Sequence, residues 1–242
     1  MKANHLLCII LLIATSSCSS PDNEALQELA SKQPDWNIVN NKELILLDTT
    51  PHYFQALFIE NDTNSKYYDI ILNFESSSFK DSFDKYYQES IKKYPSQNFN
   101  YNFIGDWVEI NKFNNQNYLY IPANRSTISR IQLKNDAIIT FQMDGIFPNL
   151  IRKINHRRNF VELEVKGPAH IFGNFNFEEI WKLELIDSLR QIIKVSIFKD
   201  GELWEKSKFM IPKERCKEYP IVVNYTDNPV MAKELKFDSF EK

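Results

Sequence analysis

Glycine is scarce in this chain. There are five in 242 residues (Gly105, Gly145, Gly167, Gly173 and Gly201), and none precedes position 105. A loop that cradles phosphate needs glycines so that backbone amides can approach the anion. Neither G-x-G-x-x-G nor G-x-x-x-x-G-K-[ST] occurs, which excludes the usual nucleotide-binding folds. Histidine is as thin, with four residues, and there is no H-x-x-x-H, H-E-x-x-H or paired C-x-x-C. The usual zinc spacings are therefore missing. His156 and His170 would have to meet across a hairpin to form even part of a site, so no metal and no cofactor is expected. A G-x-S-x-G nucleophile elbow is also missing. Glu178 and Glu179 are adjacent, and neighbours on a strand point to opposite faces. A hydrolase would need carboxylates brought together from separate strands, so the sequence leans away from an enzyme. An excess of positive charge is lacking too: 29 Lys and Arg against 32 Asp and Glu leave a net charge of −3. Nucleic acid, which calls for a basic face, is not an expected partner.

Cysteine is rare but informatively placed. Residues 6–14 are apolar, a run too short for a bilayer span, which takes ~20 residues, and the right length for the apolar region of a secretory signal. Lys2 precedes it; Thr15, Ser16 and Ser17 are small, and Cys18 follows. This arrangement resembles the lipobox of bacterial lipoproteins, in which a short apolar run ends in small residues and an invariant cysteine. Thr15 stands where that pattern usually has leucine. The resemblance implies cleavage between Ser17 and Cys18, acylation of Cys18, and a mature chain of residues 18–242 in the cell envelope. Removing residues 1–17 takes away Lys2 alone, so −3 becomes −4. Ser19, rather than aspartate, follows the cysteine, which in that family permits delivery to the outer membrane. Multiple acyl chains hold a protein durably where one does not. Cys8 leaves with the signal and Cys18 takes lipid, so Cys216 stands alone without a disulfide partner. Arg215 and Lys217 flank it and would favour a thiolate if they approached it, although an incidental cysteine is the commoner case. The sequons at Asn61, Asn124 and Asn224 are chance matches in an envelope protein of this kind.

What is present is a globular composition, 43% apolar and 25% charged, with 18 Phe, 11 Tyr and 4 Trp. DNEALQELASKQP reads as a short helix stopped by Pro34. Strand-like segments follow at 43–48, Tyr53–Glu60 and 66–74. The stretch SSFKDSFDKYYQESIKKYP predicts a helix, with capping-box spacing between Ser78 and Asp81 and an aromatic face running from Phe79 to Tyr94. Core packing is the commoner use of such a face. From Tyr101 the chain reads as a β-meander, with strands at 106–112, 117–122, 127–134, 137–143, 146–154, Phe160–Lys166, 179–187, 191–199 and 202–211. Turn signals separate them at Asn135-Asp136, Asp144-Gly145, 156–159, 173–176, Asp187-Ser188 and Asp200-Gly201. FVELEV and WKLEL alternate strictly, which means one face buried and one in water. The expected fold is α+β: a mainly antiparallel β-meander, sandwich or barrel-like, with one or two short helices in the N-terminal part. The mature chain is expected to be one domain, with a possible subdivision near residue 96. The charged outer face argues against a membrane-spanning barrel.

Two stretches are candidate binding elements. The basic run IRKINHRR places Arg152, Lys153, Arg157 and Arg158 at a strand end, where they would grip an acidic partner or lipid headgroups; a solvated turn is the plainer explanation. GPAHIFGNFNFEE carries Phe172, Phe175 and Phe177 between Gly167 and Gly173 and beyond, as a binding loop or as a plug for the end of a barrel. These features favour a lipid-anchored, non-catalytic protein-binding module, of an accessory or immunity type. The alternative is a barrel-like carrier of a small apolar ligand, with a hydrolase third. The interior discriminates: if Trp107, Phe141, Leu163, Trp181 and Ile197 fill it, nothing is carried there.

Overall fold

The structure, a computed structural model, describes residues 38–50, 53–74, 102–142, 145–166 and 178–240, together with Asp84, Tyr87, Gln88 and Lys92. The lipobox with Cys18 and the helix expected at 22–34 lie outside the described residues. So does most of the helix expected at 77–95, of which Asp84, Tyr87, Gln88 and Lys92 are helical.

Eight antiparallel strands close into a barrel. In chain order they are β3 (Gly105–Phe113), β5 (Arg130–Leu133), β6 (Ala137–Gln142), β7 (Gly145–His156), β8 (Phe160–Lys166), β9 (Glu178–Asp187), β10 (Ile192–Lys199) and β12 (Lys208–Pro212). Neighbours from β5 to β10 are joined in sequence, as a meander should be. Closure comes from β3, which pairs with β5 through Gly105–Val108 and with β12 through Trp107–Glu109. The strand expected at 202–211 is broken into β11 (Glu202–Leu203) and β12. Its turn behaves as Asp-Gly predicts: Asp200 and Gly201 both take positive φ, 54° and 84°. The α+β expectation holds only loosely, because strand dominates the described residues.

The second half of β3 leaves the barrel and joins a flanking sheet. There, Ile110–Phe113 pair with β4 (Gln116–Ile121) across an Asn114-Asn115 turn with both residues at positive φ. The sheet continues through β13 (Ile221–Thr226) and β2 (Tyr53–Glu60) to β1 (Glu43–Thr50) at its edge, and the β13–β4 pairing is parallel. A register shift between Leu44 and Leu46 interrupts the edge strand, a device that discourages further pairing. β13 was not among the expected strands. Helix α1 (Lys66–Leu72) corrects the strand expected at 66–74. In KYYDIIL the buried residues are Tyr67, Tyr68 and Ile71, a helical i, i+1, i+4 set, while Lys66 and Asp69 fall on the outer face.

Among the described residues, three apolar clusters hold these parts. Inside the barrel lie Trp107, Ile131, Leu133, Ile138, Ile151, Leu163, Val165, Trp181, Leu183, Ile193 and Met210, capped by Phe103. Between the flanking sheet, α1 and the outer wall of the barrel lie Phe54, Phe58, Tyr68, Ile71, Val108, Leu119, Phe209 and Ile221. On the other face of the flanking sheet, Ile59, Tyr118 and Val222 meet Leu235 of the C-terminal tail. Of the five side chains expected inside the barrel, Trp107, Leu163 and Trp181 are there and Ile197 packs against them. Phe141 is a correction. Alternation along β6 sends Ile138 inward and Phe141 outward, where its ring meets Phe74 edge-on at 5.2 Å.

Candidate functional site at one barrel mouth

Among the described residues, the inward side chains of the barrel pack against one another as one apolar cluster. An eight-stranded barrel is just wide enough for side chains to fill, and here both interior tryptophans are satisfied. The Trp107 indole N–H donates to the Phe103 carbonyl at 2.8 Å, and the Trp181 indole N–H donates to Glu179 at 2.8 Å. Phe103 also sets its ring edge-on against Trp107, with centroids 6.3 Å apart. One end of the barrel is thereby stoppered from within. Outside, Glu162, Glu164, Lys182 and Glu184 face away from the core and form ladders and ion pairs.

Above the stopper lies an open pocket of about 440 Å³. Its apolar lining includes Phe103, Phe160, Val161 and Leu185, and its polar lining includes His156, Arg157 and Arg158. The β7–β8 hairpin supplies most of this wall, and its tip is closed by the Arg157 amide donating to the Phe160 carbonyl at 2.9 Å. Neither Arg157 nor Arg158 is ion-paired to any described residue. Phe160 is half-buried with the Lys182 ammonium 4.1 Å from its ring centroid, so a further cation stands beside the pocket.

The same end of the barrel exposes aliphatic side chains. Ile104 is 45% exposed, Leu185 46%, Ile186 49% and Leu189 88%. Leu189 sits on a firmly built turn. Its carbonyl accepts from Arg215 at 2.6 Å, and Asp187 accepts from the Arg190 amide at 2.9 Å. That amide and the Arg190 guanidinium together hold the Asp187 carboxyl below its usual range. Little of the Leu189 side chain on this fixed turn is covered.

The basic run is thus divided by the fold. Ile151 is inside the barrel, and Arg152 is exposed at a register shift between Ile151 and Lys153. Lys153 pairs with Glu164 at 2.9 Å on the outer wall. Only His156, Arg157 and Arg158 reach the pocket. Gly167, His170, Phe172, Gly173, Phe175 and Phe177 lie outside the described residues. Lys166 and Glu178, which flank that stretch, pair with each other at the opposite end of the barrel from the β7–β8 tip. The exposed aliphatic rim was not singled out from the sequence. Its one local signal is the pair Ile186 and Leu189 around a polar turn.

The other described groups singled out from the sequence are engaged within the fold. Cys216 is fully buried, its thiol faces the Pro212 carbonyl at 3.8 Å, and burial pushes it up to about 12. Arg215 is engaged with Glu218 and does not activate it. Glu178 is exposed while Glu179 accepts the Trp181 indole, so the two diverge as expected of strand neighbours. Glu109 is desolvated at the opposite end of the barrel, and its carboxyl is raised by that burial against the opposing pull of Lys208 and a Ser129 hydrogen bond. Among the described residues no group of three or more His, Cys, Asp or Glu is placed to hold a metal. Nor is any described helix long and apolar enough to cross a membrane, which leaves strands unaddressed.

Comparison of the chain with protein-family models, with curated proteins and with solved structures finds no match in any of the three.

Proposed function

We propose that this protein is a lipid-anchored, non-catalytic binding module of the bacterial cell envelope that recognises a protein partner at the stoppered mouth of its barrel. The anchor rests on the sequence from Leu6 to Cys18, with Ser19 favouring the outer membrane. The mouth rests on one observation above all: Leu189, 88% exposed, is held out on a fixed turn at the barrel end that also exposes Ile186, Leu185 and Ile104. Exposed aliphatic groups rimmed by arginines are the composition of a recognition surface, and patches of this kind mark interaction sites. A barrel fold also suits the alternative, a carrier of a small apolar ligand. The interior packing of Trp107, Leu163 and Trp181 weighs against carriage inside the barrel.

The test is a cross-linked affinity purification from the native envelope with the full-length chain, its Cys18→Ser form and a Leu189→Asp form. One partner recovered near one-to-one, and lost with Leu189→Asp while the fold is unchanged, supports the reading. A partner recovered undiminished with Leu189→Asp would place recognition elsewhere. A Cys18→Ser protein that still fractionates with membranes would remove the lipid anchor.

A further inference from the structure

We infer that the pocket at the stoppered mouth is a binding site for a small amphiphilic anion, a phosphate or carboxylate joined to a short apolar group. The pocket has two kinds of wall, and they demand different things of an occupant. One wall is cationic. Arg157 and Arg158 are consecutive at a hairpin tip, His156 precedes them, and no described carboxylate neutralises either arginine. Several other cations on the barrel are matched, Lys153 with Glu164, Lys182 with Glu184, Arg190 with Asp187 and Arg215 with Glu218. Two consecutive arginines with no described carboxylate beside them, set against an apolar wall, have the chemistry of an oxyanion receptor. Guanidinium groups bind carboxylate and phosphate through paired N–H donors.

The other wall is apolar. Phe103 and Val161 are 9% and 8% exposed and form the floor, and Leu185 is 46% exposed at the lip. An inorganic anion would leave this wall uncovered, and a neutral apolar molecule would leave the arginines unanswered. A pocket of about 440 Å³ falls within the range of small-molecule sites. The stopper sets the depth: Phe103 lies over Trp107 and bars passage into the barrel, so only a short apolar group fits beneath the headgroup. This site does not require the protein-partner reading, because Leu189, on which that reading turns, does not line the pocket.

Titration calorimetry on the purified full chain in a non-ionic maltoside detergent tests the site with three probes: hexyl phosphate, hexanol and inorganic phosphate. Hexyl phosphate is expected to bind at least about tenfold more tightly than either of the others, one per chain. Arg157→Gln combined with Arg158→Gln should weaken it about tenfold or more, consistent with loss of charge-assisted hydrogen bonds. The two positions are exposed at a turn, so the melting temperature should hold. Leu185→Gln, on the opposite wall, provides an independent variant and should also weaken hexyl phosphate while leaving inorganic phosphate unchanged. Equal affinity for hexanol and hexyl phosphate would overturn the role of the arginines. Equal affinity for inorganic phosphate and hexyl phosphate would reduce the site to a plain anion contact. Hexyl phosphate binding unaltered in both variants would place the anion elsewhere. None of these outcomes depends on recovering a protein partner.

Discussion

The barrel and the flanking sheet are built on opposite plans although they share β3. The barrel is assembled from hairpins between consecutive strands, and its interior is a single apolar cluster with the charge outside. The flanking sheet joins segments far apart in the chain: β2 pairs with β13 across more than 160 residues, and β13 lies parallel to β4. Its outer face is held by polar groups. Gln55 and Asn224 are 0% and 4% exposed, and the Gln55 amide donates to Asn224 at 2.8 Å and to the Lys233 carbonyl at 2.7 Å. The Lys233 amide donates back to Gln55 at 3.1 Å, Tyr53 donates to Gln55 at 2.6 Å, and Asn224 donates to Tyr120 at 3.2 Å. Tyr120 in turn donates to Glu234. The C-terminal tail is thus laced onto the sheet by side-chain hydrogen bonds, whereas the barrel interior is filled by apolar packing. Burying apolar side chains needs only volume, whereas a buried polar group must find each partner. The first plan tolerates local variation; the second depends on distant residues being in register.

Substitutions in the two regions should separate these plans. The largest effect is expected for Trp181→Ala, which empties the centre of the barrel. It should cost ~3–5 kcal/mol, as deletion of a buried aromatic does, seen as a fall in the denaturation midpoint. Asn224→Leu keeps the branched outline of the side chain but strands the groups it served. A loss of ~1–3 kcal/mol is expected from unmet buried partners, together with faster amide exchange at Lys233 and Leu235. Gly105→Ala tests the strand that both regions share. Gly105 has φ of 144°, and no atom lies within 4 Å of an added Cβ, so the penalty is conformational alone. About 1 kcal/mol or somewhat more is expected, read by chemical denaturation. Lys153→Ala should do least. Its pair with Glu164 is 60% and 41% exposed on the barrel's outer wall, and such pairs contribute less than ~1 kcal/mol. A large loss there would mean that the outer wall is not a solvated face.

The same contrast explains what the sequence disclosed. In FVELEV and WKLEL, Val161, Leu163, Val165, Trp181 and Leu183 are buried where alternation places them, because a period of two is a local property of the chain, whereas Leu185, expected on the same face, reaches the barrel mouth and is 46% exposed. The barrel strands were legible for that reason, and so was the Asp200-Gly201 turn. Closure was not, since pairing of β3 with β5 skips over β4 and leaves no local trace. KYYDIIL misled because a short apolar run with aromatic residues suits a strand as well as a buried helix. IVVNYT was missed as a strand. Its buried Asn224 reads as a surface residue until Gln55 and Lys233 are beside it. At the candidate site, Arg157 and Arg158 were visible as part of a charge run, but the fold's division of that run was not. Whether neighbours on a strand separate to inner and outer walls depends on the register shift at Ile151/Lys153, which no charge pattern announces. Leu189 looked like any apolar residue in a turn.

We propose that the barrel interior is filled by its own side chains and that recognition takes place at its mouth. Binding of N-phenyl-1-naphthylamine, an uncharged apolar fluorophore, to the full chain, read by energy transfer from tryptophan, distinguishes a filled barrel from an open one. A filled barrel predicts no saturable uptake by the native protein and gives uptake only when Trp181→Ala opens a cavity. Saturable binding of about one probe per native chain, quenching the buried tryptophans, would contradict the claim and restore a carrier.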